Sequence, residues 1–150
     1  MKKAIPVLNQ LNIVAKDFDA SVDFYRRFGL DLADRSAADL GIKHAEVTMD
    51  NGFTLEIDNR RLAETYNSAW RSPDGSAGTL IGFSFPTREA VDLKYRELTE
   101  AGYLGKQQPY DAFFGARYAV VADPDGNDVG LMSPLDEERR IWPPTNLPRS

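Results

Sequence analysis

The chain has 150 residues, 42% hydrophobic and 27% charged, with a formal net charge of -5, one histidine and no cysteine. The missing cysteines exclude disulfides, thiolate metal sites and a cysteine nucleophile, and a conventional zinc site or Ser-His-Asp triad would have to use His44. The acidic balance argues against generic nucleic-acid binding, which needs a basic surface.

The length suits one compact domain or two very small units sharing a core, and the expectation is a single domain over residues 1–150. No apolar run approaches the roughly 20 residues of a membrane span. Pro6, Asn9, Gln10 and Asn12 interrupt the stretch that would follow Met1-Lys2-Lys3 in a secretion signal. The expected location is therefore the cytoplasm, with neither a membrane nor a nucleic acid as partner.

Residues 7–15 alternate over much of their length and predict a strand. Asp17 is then a helix N-cap, Val22, Tyr25 and Phe28 follow at helical spacing, and Gly29 suits the position just past the helix. Residues 31–37 are a weakly patterned strand. Residues 44–50 and 53–58 form a hairpin about Asp50-Asn51-Gly52, since Asn-Gly is among the strongest short hairpin signals. Residues 59–78 read as a linker with a helical turn at 60–68.

The pattern then repeats. Residues 79–85 predict a strand, Thr87 caps a helix carrying Val91, Tyr95 and Leu98, and Gly102 ends it. Tyr25-Arg26 recurs as Tyr95-Arg96, 70 residues on. Residues 103–109 are a second weak strand, and the last hairpin turns at Pro124-Asp125-Gly126. Each half therefore runs strand, helix, strand, strand, strand: module 1 over 5–58 and module 2 over 79–134. Residues 135–150 form a tail whose prolines forbid a regular helix or central strand.

Alternation assigns side chains to faces. Leu11, Ile13 and Ala15 share one face of the first strand, against Gln10 and Asn12 on the other. Ala45, Val47 and Met49 oppose His44, Glu46 and Thr48, and Phe53, Leu55 and Ile57 oppose Thr54, Glu56 and Asp58. In the second half Ile81, Phe83 and Phe85 oppose Leu80, Gly82 and Ser84, while Val129 and Leu131 oppose Asp128, Gly130 and Met132. A helix should cover each apolar face. The other face is either solvent-exposed, as is ordinary in antiparallel sheets, or lines a concavity that takes a ligand.

The segment Asp17-Phe18-Asp19-Ala20-Ser21-Val22-Asp23-Phe24-Tyr25 with Phe28-Gly29-Leu30, and Asp123-Pro124-Asp125-Gly126-Asn127, resemble the vicinal oxygen chelate superfamily. That superfamily includes glyoxalases, extradiol dioxygenases and bleomycin-resistance proteins. The resemblance covers residues 5–134. It implies an α+β fold in which two βαβββ modules form a curled, partly open mixed β-sheet barrel around the site. It also implies a homodimer, with Ile141 and Trp142 of the tail packed across the interface or over their own barrel.

In metal-using members, one position on the first strand and one on the last strand of each module commonly point into the site. The resemblance places these at Gln10, Glu56, Leu80 and Gly130. Leucine offers no lone pair and glycine no side chain, so no tight metal and no cofactor are expected. Two oxygen donors with water suit at most loosely held Mg²⁺ or Mn²⁺. His44 shares the face of Glu46 and offers a nitrogen, although a lone histidine is more often a surface residue.

Glu56 is the candidate catalytic residue, a general base if it faces a cleft; the alternative is an ordinary carboxylate hydrogen-bonded to Gln10 or solvated. Glu46 is a weaker candidate. Trp70, Phe114 and Tyr118 provide rigid aromatic contact area and, with Gln10, Asn12, Glu56 and Ser84, make up the expected ligand-binding set. Arg117 either meets an anionic substrate or pairs with acidic neighbours. Asp123-Pro124-Asp125-Gly126-Asn127 lacks the spaced carboxylates and distal glutamate of a calcium loop and reads as a turn.

The expected function is binding of a small, partly aromatic organic molecule in a cleft without a tight metal. The alternatives are a lyase, isomerase or dioxygenase using Glu56 as base or metal ligand, and a non-catalytic dimerisation module.

Overall fold

The computed structural model describes residues 7–72 and 79–144. The chain divides into two compact units, Met1–Ser72 and Pro73–Ser150, each built on one four-stranded mixed sheet. The order of elements in both is βαβββ, as the sequence pattern predicts.

In the first unit β1 (Gln10–Ala15) leads to α1 (Phe18–Arg26). The Asp17 carboxylate accepts the backbone N–H of Ala20 and caps the helix. Asp19 in the first turn and Arg26 in the last complement the helix dipole. Phe18, Val22, Phe24 and Tyr25 are buried, with Phe24 and Tyr25 edge to face at 4.9 Å. Gly29 (φ 80°) reverses the chain there, in the left-handed region that only glycine enters without strain.

Three strands follow: β2 (Ala33–Asp34), β3 (His44–Thr48) and β4 (Thr54–Asn59), in the sheet order β1-β4-β3-β2. β1 runs parallel to β4, and the other neighbours are antiparallel. Ile13, Ala15, Ala45, Leu55 and Ile57 present the buried face, and α1 packs against β4. Asn59 then caps α2 (Arg60–Tyr66), accepting the N–H of Leu62, where a helical turn was expected.

The second unit repeats the scheme with β5 (Leu80–Ser84), α3 (Arg88–Glu100), β6 (Gly105–Asp111), β7 (Arg117–Ala122) and β8 (Asp128–Met132), in the order β5-β8-β7-β6. Thr87 caps α3 through Ala90, and α3 lays Val91 and Leu98 on β6, β7 and β8. Ala119, Val121, Val129 and Leu131 are the facing core. Neither sheet closes on itself; each ends on two edge strands. No helix among the described residues is long and apolar enough to cross a membrane.

Several expected strands change length for local reasons. Pairing of β1 with β4 ends where Thr54 N–H donates to Asn9 carbonyl, so Val7 and Leu8 have no partner strand and stand exposed. The 31–37 strand shrinks to two residues because the Asp34 carboxylate accepts the Ser36 N–H and turns the chain. β6 runs on to Asp111 through Pro109, which is tolerated because β6 is an edge strand with shifted register on either side of Gln107.

The tail is tied to the β6–β7 loop of its own unit. Asp136 N–H donates to Gly115 carbonyl and Ile141 N–H to Phe113 carbonyl. A Cβ on Gly115 would lie 2.3 Å from the Asp136 carbonyl oxygen, so this crossing requires glycine.

The Asp123 motif is turn chemistry, as expected. Its buried carboxylate accepts the backbone N–H groups of Asp125 and Asn127 and the side-chain amide of Asn127, all at 2.8–2.9 Å. Replacing Asp123 by Ala should therefore lower the unfolding free energy by about 1–3 kcal/mol, with Asp123→Asn losing less because it keeps one acceptor. Urea denaturation measures this; a loss below about 0.5 kcal/mol, the range of an ordinary surface substitution, would show that the carboxylate does not hold the turn.

Candidate functional site

The two sheets present chemically opposite second faces. In the first unit, alternation brings Asn12, Glu56 and Glu46 into one row across β1, β4 and β3, and Val14, Asp58 and His44 into the next. Asp58 is fully buried. One of its oxygens accepts His44 Nδ1 at 2.6 Å; the other accepts Asn12 Nδ2 at 3.0 Å and the Tyr66 hydroxyl at 3.1 Å. Burial and the nearby Asp58 charge push the Tyr66 hydroxyl up to about 12, so it stays a donor.

With Nδ1 engaged, His44 turns Nε2 toward Glu46 Oε2 at 3.4 Å and Glu56 Oε1 at 3.9 Å. Partial burial opposes a charge on the ring, but hydrogen bonds donated to Asp58 and Glu46 outweigh it and raise the imidazole above its ordinary value. The second oxygen of each glutamate is held elsewhere: Arg35 Nε meets Glu46 Oε1 at 2.7 Å, and Gln10 Nε2 donates to Glu56 Oε2 at 2.7 Å. The same Gln10 amide donates to Asn12 Oδ1 at 2.7 Å. Gln10, Arg35, Glu46 and Glu56 edge a polar concavity of about 570 Å³ that also takes in Asp31, Thr48 and Thr54.

In the second unit the matching face is apolar. Leu80, Gly82 and Ser84 of β5, Gly130 and Met132 of β8, Tyr118 of β7 and Phe114 of the preceding loop line a concavity of about 420 Å³. Phe114 and Tyr118 meet edge to face at 5.2 Å. Burial, with Tyr110 and Asp128 nearby, holds the Tyr118 phenol above its usual value. A Cβ on Gly130 would lie 2.8 Å from the Tyr118 hydroxyl and 3.0 Å from Leu80 Cδ2, so the missing side chain is what lets these two close over the strand.

The residues expected from the sequence thus fall into two groups. Gln10, Asn12 and Glu56 join one hydrogen-bonded network, whereas Ser84, Phe114 and Tyr118 line the apolar concavity. Trp70 follows α2, with the Arg60 guanidinium 5.9 Å from its ring. Arg117 pairs with Asp92 at 2.9 Å and Asp111 at 3.3 Å.

Sequence reasoning missed Asp58 and Tyr66 and gave Arg35 no role. The available signal was that Asp58 lies two residues from Glu56 on one strand face, in the strand that the predicted hairpin pairs with the one carrying His44. The metal positions implied by the family resemblance do not fit an ion. Gln10 and Glu56 carry donors, but Leu80 carries none, and at Gly130 the space for a side chain is taken by Tyr118 and Leu80.

A model of the Glyoxalase/Bleomycin resistance protein/Dioxygenase superfamily matches residues 7–131. An uncharacterised protein of Mycobacterium bovis is 27% identical over 128 residues, covering 84% of this chain and 82% of its own. A glyoxalase-related enzyme from Fulvimarina pelagi superposes with a TM-score of 0.73 at 18% identity, covering 87% of this chain and 89% of its own. A glyoxalase/bleomycin resistance protein/dioxygenase from Nocardioides gives 0.70 at 20% identity, covering 91% and 88%. At such identities the two structures speak for the fold alone.

Because the folded protein raises the His44 pKa, protonated His44 adds stability below the unfolded value of about 6.5 and loses it as pH rises through the native value. In chelator-treated protein, the stability gap between wild type and His44→Gln should therefore shrink as the pH rises above about 6.5. Chemical denaturation across that range checks it; a gap that stays constant would contradict the pairing.

Proposed function

The chain belongs to the glyoxalase/bleomycin resistance protein/dioxygenase superfamily, and from that premise we propose that it binds a small, partly aromatic organic molecule without a metal held jointly by that family's four positions. The observation that carries this reading is the apolar concavity of the second unit. Two of the positions that would carry ligands, Leu80 and Gly130, instead supply its wall and floor.

Its chemistry suits a flat, largely apolar molecule. Phe114 and Tyr118 set two ring planes near a right angle, at 83°, so one ring can stack on a ligand while the other meets its edge. Leu80 and Met132 add aliphatic contact, and the thioether adapts to irregular shapes. The Ser84 hydroxyl and the Tyr118 phenol supply the few polar groups that orient a ligand in such a site. A volume of about 420 Å³ falls within the range of small-molecule sites.

Thermal-shift and fluorescence titrations with 8-anilinonaphthalene-1-sulfonate and a panel of bicyclic and tricyclic aromatic compounds test the reading. A ligand at a hundredfold excess over its Kd should stabilise the protein by about 2.7 kcal/mol. Phe114→Ala and Leu80→Gln should each weaken binding at least about tenfold, given the area each removes from contact. If no compound stabilises the protein, or if both variants bind as wild type does, the concavity is not the ligand site.

A further inference from the structure

The first unit holds a second chemically distinct constellation, which the aromatic site neither uses nor requires. The β3–β4 register sets Glu46 directly opposite Glu56. Like charges directly opposite on one sheet face repel, and such a pair persists where something between them compensates. Arg35 and Gln10 each hold one oxygen of these carboxylates, on the side away from the partner. The remaining oxygens, Glu46 Oε2 and Glu56 Oε1, both turn toward His44 Nε2.

We propose that His44, Glu46 and Glu56 form a divalent transition-metal site contained wholly in the first unit, on β3 and β4. One ligand atom from each lies within 4.8 Å of the others. Ligands about 2.0–2.2 Å from a zinc-like ion stand roughly 3–3.5 Å from one another. The His44 Nε2 to Glu46 Oε2 separation of 3.4 Å already meets that, and the 3.9 Å to Glu56 Oε1 needs only a small side-chain rotation.

What distinguishes this trio from a chance group of charges is its backing. Asp58, fully buried, accepts a hydrogen bond from His44 Nδ1 at 2.6 Å. In the neutral ring that bond keeps the proton on Nδ1 and leaves the Nε2 lone pair for a metal ion. The carboxylate–histidine arrangement is how proteins orient a ligating imidazole. Asn12 and Tyr66 in turn hold the other Asp58 oxygen.

The charges agree. With His44 neutral, Glu46, Glu56 and Asp58 against Arg35 leave two uncompensated negative charges, the complement of one divalent ion. A nitrogen with two carboxylate oxygens suits Mn²⁺, Fe²⁺, Co²⁺ or Zn²⁺ better than Ca²⁺, which prefers oxygen alone. Glu46 and Glu56 line the concavity of about 570 Å³, which gives an ion held there access to water or a further ligand.

The proposal is independent of aromatic binding in the second unit. Full-length protein, stripped with chelator and dialysed, is titrated with Zn²⁺ by calorimetry and with Co²⁺ by absorbance. One ion should bind per chain with micromolar or tighter affinity, and the Co²⁺ spectrum should show nitrogen and oxygen ligation. Glu46→Gln, a partly exposed change that leaves the core alone, should weaken binding at least about tenfold, and His44→Gln should do the same. Asp58→Asn should weaken it about 10–100-fold through loss of the oriented imidazole. Phe114→Ala, in the other unit, should leave the titration unchanged while weakening dye binding at least about tenfold. The site is refuted if no stoichiometric ion binds. It is refuted equally if Glu46→Gln and His44→Gln, verified as folded by circular dichroism, bind as wild type does.

Discussion

A carboxylate sealed from water organises the first unit. Asp58 is fully buried, and a buried charge is tolerated only where donors surround it. Three different elements supply them: Asn12 on β1, His44 on β3 and Tyr66 at the end of α2. Each of these bonds fixes more than itself. Asn12 also accepts from Gln10, which holds Glu56, while His44 directs its second nitrogen at Glu46 and Glu56. Removing one partner of a buried, hydrogen-bonded charge typically costs about 3–5 kcal/mol, which is why such a network fixes one arrangement of side chains rather than several.

The second unit shows what the same backbone does without that charge. Row by row, the ladders correspond: Asn12–Glu56–Glu46 in the first sheet stands where Gly82–Gly130–Val120 stands in the second. The row Val14–Asp58–His44 corresponds to Ser84–Met132–Tyr118. Strand order, parallel closing pair and covering helix are common to both. A network of donors and carboxylates in one half is thus matched by two glycines and an aromatic wall in the other. Fold alone carries no information about which chemistry each face performs.

Much of the architecture could be read from residues whose effect is local. Asp17 and Thr87 cap their helices with side-chain oxygens, and Gly52 and Gly126 turn their hairpins at positive φ. Gln10 and Glu56, read as neighbours on one face, are joined by a hydrogen bond. What escaped the sequence depends on partners distant in the chain. The burial of Asp58 rests on Asn12, 46 residues away, and on a tyrosine from the segment read as linker. The end of β1 is set by where β4 begins, and the path of the tail by contacts with the β6–β7 loop. Periodicity sees which face a residue occupies but not what stands opposite it.

The same distinction applies to His44. A single histidine on a polar strand face has no local signal separating a solvated ring from an oriented one. The orientation comes from the antiparallel register, which sets His44 against Asp58 and therefore Glu46 against Glu56. A slip of one residue would send all four side chains to the opposite face and bury charges in the core. The hydrophobic alternation of Ala45, Leu55 and Ile57, which secures the register, is therefore also what positions the polar groups behind it. Packing on one side of the sheet determines electrostatics on the other.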